Sequence, residues 1–222
     1  MFKKTFKLDS DLLWLEMARI ILTLGSGHAD FKLIVTGGLT AASLYDAISS
    51  LALPSDVDHW TVLLSDERCA DIHDKKLRND YLVYERLIKP LAISDSKFLR
   101  IRSELEVDAA ILDYERKLSR INKIDLAILT LGTDGHVASI FSPVCNFKRS
   151  LLYVDNAPIE PHNRLTLSPA VLFEANCIFL MAVGAKKLLA LKQISEDRGV
   201  VNRLFSGHKN IFLFTDLPFN SL

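Results

Sequence analysis

The sequence predicts an α/β fold, a mostly parallel, Rossmann-like sheet covered by helices on both faces. Three observations carry this expectation. Short runs of strand length, such as Ile178 to Val183 and Leu126 to Leu131, are apolar at all or nearly all positions, as in strands buried on both faces. Segments with apolar residues at helical spacing separate them, and alternating strands and helices make parallel sheets. No repeat, low-complexity stretch or shift in composition divides the chain, so residues 1–222 read as a single domain.

The elements follow in order. Residues Asp9 to Leu24 repeat Leu13, Met17, Ile20, Ile21 and Leu24 on one helical face, with Asp9 or Ser10 able to cap and Gly25-Ser26-Gly27 ending the helix. Phe31 to Thr36 is a strand broken by Gly37-Gly38. Thr40 to Leu51 is a helix facing inward through Leu44, Ala47, Ile48 and Leu51, and Pro54 to Asp58 is a loop. Trp60 to Leu64 is a strand, followed by Ser65-Asp66-Glu67-Arg68 and a polar loop through Arg78. Asn79 to Ile88 is helical and stops before Pro90, and Phe98 to Ile101 is a short strand. A long helix carries Val107, Ala110, Ile111, Tyr114, Leu118 and Ile121. Leu126 to Leu131 is the central strand, ending in Gly132-Thr133-Asp134-Gly135-His136 and a segment able to start a helix. Leu151 to Val154 and Arg164 to Leu167 read as strands, and Ser168-Pro169 as a helix start. Ile178 to Val183 is a strand, Gly184-Ala185-Lys186-Lys187 leads into a helix through Ile194, and Ile211 to Phe214 is the last strand.

Composition narrows the function. Lysine and arginine total 27 and aspartate and glutamate 27, so the balanced charge argues against a nucleic-acid partner. No apolar run is long enough to span a bilayer, and no apolar stretch follows Lys3, Lys4 and Lys7 as in a secretory signal. A cytoplasmic protein is expected. Cys69, Cys145 and Cys177 share no metal-ligand spacing and read as reduced thiols, mostly core filler, with Cys69 the one placed beside charges.

Four polar clusters fall at the ends of expected strands. Thr36-Gly37-Gly38-Leu39-Thr40 enters a helix, where a glycine turn and free N–H groups suit an anion. Taken alone, it reads better as a plain tight turn. Asp66-Glu67-Arg68 follows an apolar strand, where Arg68 suits phosphate or carboxylate, though a lone triplet fits a salt-bridged loop slightly better. Asp134-Gly135-His136 puts an acid and an imidazole together; a helix-capping turn with a bystander histidine accounts for it about as well. Arg164 and Lys187 complete the set, each also readable as a surface charge. If the strands are parallel, all these turns share one sheet edge, the edge where open α/β sheets bind ligands. Two or three cations, an anion turn, carboxylates and an imidazole suit a phosphorylated, otherwise uncharged small molecule and acid–base chemistry. No serine or cysteine nucleophile elbow and no histidine pair at metal spacing is present, so no metal is expected.

Taken in order, Thr36-Gly37-Gly38-Leu39-Thr40, Ser65-Asp66-Glu67-Arg68, Leu131-Gly132-Thr133-Asp134-Gly135-His136-Val137-Ala138-Ser139-Ile140-Phe141, Arg164-Leu165-Thr166-Leu167 and Gly184-Ala185-Lys186-Lys187 resemble the motifs of 6-phosphogluconolactonases over nearly the whole chain. The resemblance implies a three-layer α/β/α fold, shared with glucosamine-6-phosphate deaminases. It implies cofactor-free hydrolysis of 6-phospho-glucono-1,5-lactone to 6-phosphogluconate in the pentose phosphate pathway, by a monomer or small homo-oligomer. His136 would be the base that activates water, with Asp134, Asp66 or Glu67 orienting it. Arg68 and Lys187 would hold the phosphate with Gly37, Gly38 and Thr40, and Arg164 would line the cleft. The chain departs from the family pattern at Leu39, where a serine is usual, at Ala41, where a proline is usual, and in the loop after Arg68, so Asn79 is given no role. Two other readings stand beside this one. A sugar-phosphate isomerase or deaminase of the same fold would carry a Glu after the Gly-His segment, where this chain has Ser142-Pro143. A non-catalytic sugar-phosphate sensor would keep the cations without needing the base.

Overall fold

The computed structural model describes residues 1–142 and 149–219. In chain order, β1 (Lys4–Lys7) precedes α1 (Ser10–Ser26), β2 (Phe31–Val35), α2 (Leu39–Leu51), the single turn α3 (Pro54–Val57), β3 (Trp60–Leu64) and β4 (Asp66–Arg68). There follow α4 (Asn79–Val83), continued as a wider turn through Ile88, β5 (Phe98–Leu99), α5 (Val107–Leu118), β6 (Leu126–Thr130), β7 (Leu151–Val154) and β8 (Arg164–Leu167). The chain closes with α6 (Pro169–Phe173), β9 (Ile178–Ala182), a short turn at Ala185–Lys187, α7 (Leu188–Ser195), α8 (Val200–Leu204) and β10 (Ile211–Thr215).

Seven strands form one sheet in the order β1-β10-β9-β6-β2-β3-β5, and every pairing in it is parallel. Parallel neighbours require crossovers, which the helices supply on the sheet's flanks. The apolar runs are buried because both faces are covered: β9 is buried at all five positions and β6 at four of five. Among helices, α1 packs against α2, α3 and β10. It buries Leu13, Met17, Ala18 and Ile21, largely the stripe expected of it. Ser168 caps α6, its hydroxyl accepting the Val171 N–H at 3.4 Å.

The strand order places the site. From β2 the chain moves outward through β3 and β5, then returns to the other side of β2 with β6 and moves away through β9 and β10. The direction of winding therefore switches between β2 and β6, which pair at Leu33–Leu126 and Ile34–Ala127. A crevice opens at the carboxyl ends of such strands. The glycine turn follows one of them and the Asp-Gly-His turn the other.

Several expectations are corrected. The charged triplet Asp66-Glu67-Arg68 is a strand, β4, in a second, antiparallel sheet of order β4-β8-β7. The segment after His136 makes a tight bridge between Val137 and Ile140, with no helix before Ser142, because Ala138 takes a φ of 51° that a helix does not tolerate. Pro54 to Asp58, expected as loop, contains a helical turn, and β1 and α8 were not expected. Cys145 lies outside the described residues. Cys69 and Cys177 are half-buried, and burial pushes both thiols up to about 11, which leaves them inert at neutral pH.

Candidate active site

Thr36, Gly37, Gly38, Asp66, Arg68, Asn79, Thr130, Gly132, His136, Ala138 and Arg164 line one cleft of about 170 Å³ at the β2–β6 switch. Its first part is the Asp134–His136 pair. Gly135, at φ 89°, turns the chain back so that the Gly132 N–H reaches the His136 carbonyl at 2.7 Å. Gly132 is required for a different reason, since a Cβ there would lie 2.2 Å from His136 Nδ1 and 2.7 Å from Asp134 Oδ1. Without it, the two side chains lie 2.5 Å apart, His136 Nδ1 donating to Asp134 Oδ1. Burial alone would raise the Asp134 pKa, but the hydrogen bond and charge of His136 outweigh it and hold the carboxyl below its ordinary value. An ionised carboxylate only accepts, so Nδ1 carries a proton and Nε2 is the nitrogen left to exchange one. The Phe141 ring covers the imidazole, with centroids 4.5 Å apart.

The second part is cationic. Arg68 of β4 stands directly opposite Arg164 of β8 in register. Like charges facing each other across strands destabilise a sheet, so this pairing is what an anion site needs rather than what the fold prefers. Burial first, then the charge of Arg68, lowers the Arg164 pKa below its ordinary value. Arg164 is 7% exposed and is aimed by the Pro161 and Ile159 carbonyls, which accept from Nε at 2.6 Å and Nη2 at 2.8 Å. Arg68 donates from Nη1 to the Leu77 carbonyl at 2.8 Å, while its Nε is buried with no partner among the described residues. Thr130 Oγ1, in the wall of the same cleft, has no partner among the described residues either.

The third part is the start of α2. Gly38, at φ 94°, precedes a helix whose first turn has no side-chain cap, so its N–H groups remain for an anion. Lys187 reaches this turn from the other side, its Nζ 3.4 Å from Thr40 Oγ1. It is 8% exposed. Burial pushes its ammonium down to about 8, against an upward pull from Asp216.

The three carboxylates weighed as partners of the imidazole therefore divide. Asp134 touches it. Asp66 lines the cleft but is held by the hydroxyls of Ser65 and Ser139, each at 2.7 Å, and so ties β4 to the His136 turn. Glu67 is engaged elsewhere: fully buried, it accepts the backbone N–H groups of Arg68, Asn79 and Asp80 at 2.7, 2.8 and 2.7 Å. Asn79, given no role from sequence, is brought in by this clamp. Its Nδ2 donates to the Asp66 carbonyl at 3.0 Å, and its side chain fills the space a Cβ on Gly37 would need. That contact spans 42 positions in the chain, and only the Gly37 of a bare glycine turn hinted at it.

A sequence model of the family described as glucosamine-6-phosphate isomerases/6-phosphogluconolactonase matches residues 13–203. The chain belongs to that family. The 6-phosphogluconolactonase of Homo sapiens is 30% identical over 210 residues, covering 89% of this chain and 81% of that protein. The 6-phosphogluconolactonase of Borreliella burgdorferi is 31% identical over 171 residues, or 69% of this chain and 71% of that one. A solved 6-phosphogluconolactonase from Thermotoga maritima has the same fold, with a TM-score of 0.85 over 96% of this chain and 99% of that one at 24% identity. The family name spans isomerases and lactonases, so the choice between them falls to the site. Among the described residues, the carboxylate on the histidine is that of Asp134, two positions away, and residues 137 to 142 carry no Glu.

Proposed function

We propose that this chain hydrolyses 6-phospho-D-glucono-1,5-lactone to 6-phospho-D-gluconate. The observation that carries the proposal is the Asp134–His136 pair in one cleft with the opposed Arg68 and Arg164. A lactone carbonyl is already electrophilic, so one base and one placed water suffice. His136 Nε2 takes a proton as the water oxygen bonds to C1. The C1–ring oxygen bond then breaks, and the imidazolium returns that proton to the departing ring oxygen. Asp134 holds the tautomer and stabilises the imidazolium. The oxyanion at C1 is met by backbone N–H groups of the cleft.

The phosphate sits at the start of α2, with Lys187, Gly37, Gly38 and Thr40 as its donors and Arg68 reaching it from β4. Arg164 lines the cleft beside Arg68. Holding this remote group sets C1 against the water, which converts binding energy into rate. No cofactor or metal enters the scheme. We take residues 1–222 as one domain acting in the cytoplasm, alone or as a small homo-oligomer, on a small molecule and not on nucleic acid. No helix among the described residues is long and apolar enough to cross a membrane.

The test is direct. Purified protein with freshly made lactone should release protons well above the spontaneous rate, and should not release ammonia from glucosamine 6-phosphate. Ammonia release without lactonase activity would make it a deaminase. Binding of 6-phosphogluconate with neither activity would make it a sensor.

A further inference from the structure

We propose that Asp216 is a positioning residue for the lysine that holds the phosphate. The proposal rests on the reading of Lys187 given above and adds a residue outside every motif of the sequence. β10 ends at Thr215 and so delivers Asp216 to the carboxyl edge of the sheet, beside the end of β9. Both oxygens of Asp216 accept the Gly184 N–H, at 2.9 and 3.2 Å. Gly184, at φ 92°, opens a turn that closes when the Lys187 N–H donates to the Gly184 carbonyl at 3.0 Å. The carboxylate thus clamps the first residue of a turn whose fourth is the lysine. Its own position is fixed from both sides: the Thr215 hydroxyl donates to the Ala182 carbonyl at 2.7 Å and accepts the Leu217 N–H at 3.0 Å.

The same carboxylate supplies charge. Among the described residues, the groups that act on the Lys187 ammonium are the neutral Thr40 hydroxyl from α2 and, from the end of β10, Asp216; the adjoining Lys186 is exposed. A buried ammonium with no anion near it gives up its proton readily. Asp216 opposes that loss, yet among the described residues it makes no contact ion pair with Lys187. Its oxygens are taken by the Gly184 amide, so it supports the positive charge without competing with a phosphate for the ammonium. A direct Lys–Asp pair would have blocked the site.

The experiment measures the affinity for 6-phosphogluconate by titration calorimetry between pH 7 and 9.5, which avoids the unstable lactone. In the unaltered protein binding should weaken with a midpoint near pH 8, where the buried lysine loses its proton. Asp216→Asn keeps an acceptor for Gly184 but removes the charge. Its midpoint should fall by roughly half to one pH unit, so that Kd at pH 8 rises about two- to fivefold. Its kcat at saturating lactone should stay within about twofold. Asp216→Ser, a second charge-free variant, should behave alike, and Asp216→Glu should recover part of the shift. Lys187→Met is the control, expected to weaken binding at pH 7 and to flatten the profile. An unmoved midpoint in both charge-free variants, with Lys187→Met still weakened, would overturn the role of Asp216 alone. Unchanged binding by Lys187→Met would overturn the reading of Lys187 and this inference with it.

Discussion

At the scale of single residues, the proposed site, which is the cleft with Thr40 and Lys187 beside its lining, is built from groups held against their own preference. Lys187 is the clearest case. Its folded pKa of about 8 lies below its ordinary 10.5, so the fold disfavours the protonated form. Below pH 8 both folded and unfolded chains carry that proton, and the folded state bears the full cost of burying it. The cost shrinks as pH rises from 8 towards 10.5, where the folded state is neutral and the unfolded one still charged. Lys187→Met should therefore raise stability at pH 7 by about 1–3 kcal/mol, with the gain fading above pH 8. The same variant should raise KM about ten- to a hundredfold, the worth of one charge-assisted contact to phosphate. Denaturant unfolding at pH 7 and pH 10 and steady-state kinetics check the two halves together. Gly132→Ala makes the opposite kind of change. Its Cβ would displace the half-exposed pair of His136 and Asp134, so kcat should fall by about a hundredfold or more, with thermal stability nearly unchanged. A variant of normal activity would mean that the Asp134–His136 geometry is not needed. His136, Arg68 and Lys187 could be singled out in the sequence because their turns follow apolar strands which, if parallel, end on one sheet edge. Asp216 was not, since a lone aspartate after the last strand looks like any loop residue.

At the scale of elements, β2, β3, β6, β9 and β10 were readable to within about a residue, because each is a largely apolar run, whereas β5 ends two residues before the expected Ile101. The elements that were missed lack that signal. β1 holds Lys4-Thr5-Phe6-Lys7, whose apolar content is one phenylalanine stacked on Phe214, with centroids 4.6 Å apart. β4 is three charged residues, which read as loop until β8, about a hundred positions later, pairs with them. Local sequence carries no trace of that partner. What keeps β4 and α4 together is Glu67, whose three amide contacts gather Arg68, Asn79 and Asp80 around one carboxylate. Glu67→Gln would set an NH₂ donor against a backbone N–H donor. It should cost about 1–3 kcal/mol of stability and lower kcat/KM, because Arg68 and Asn79 lose their common anchor. Chemical denaturation with activity measured on the folded fraction checks this. Stability and kcat/KM both like those of the unaltered protein would show that the loop is held by other contacts.

At the scale of the whole molecule, function follows from where winding reverses. Parallel strands put the ends of β2, β6, β9 and β10 on one edge, and the switch between β2 and β6 leaves the crevice there. Each end then contributes one part of the proposed site: the glycine turn before α2, the Asp134–His136 pair, Lys187 and Asp216. The small antiparallel sheet brings the arginine pair over the same edge. Parallel order was legible from alternation, whereas the second sheet and the exact neighbours in the cleft depend on long-range pairing that one sequence does not display. The scheme uses a base and water alone, so activity should be unchanged by exhaustive dialysis against a chelator; loss restored by one specific ion would require a different mechanism. The central claim is that His136 is the base. The measurement that tests it most directly is kcat of His136→Ala at saturating, freshly prepared lactone, with spontaneous hydrolysis subtracted and folding confirmed by thermal melting. A fall of about 10²–10⁴-fold with KM changed only a few-fold is expected. A folded variant that turns over at close to the unaltered rate would contradict it.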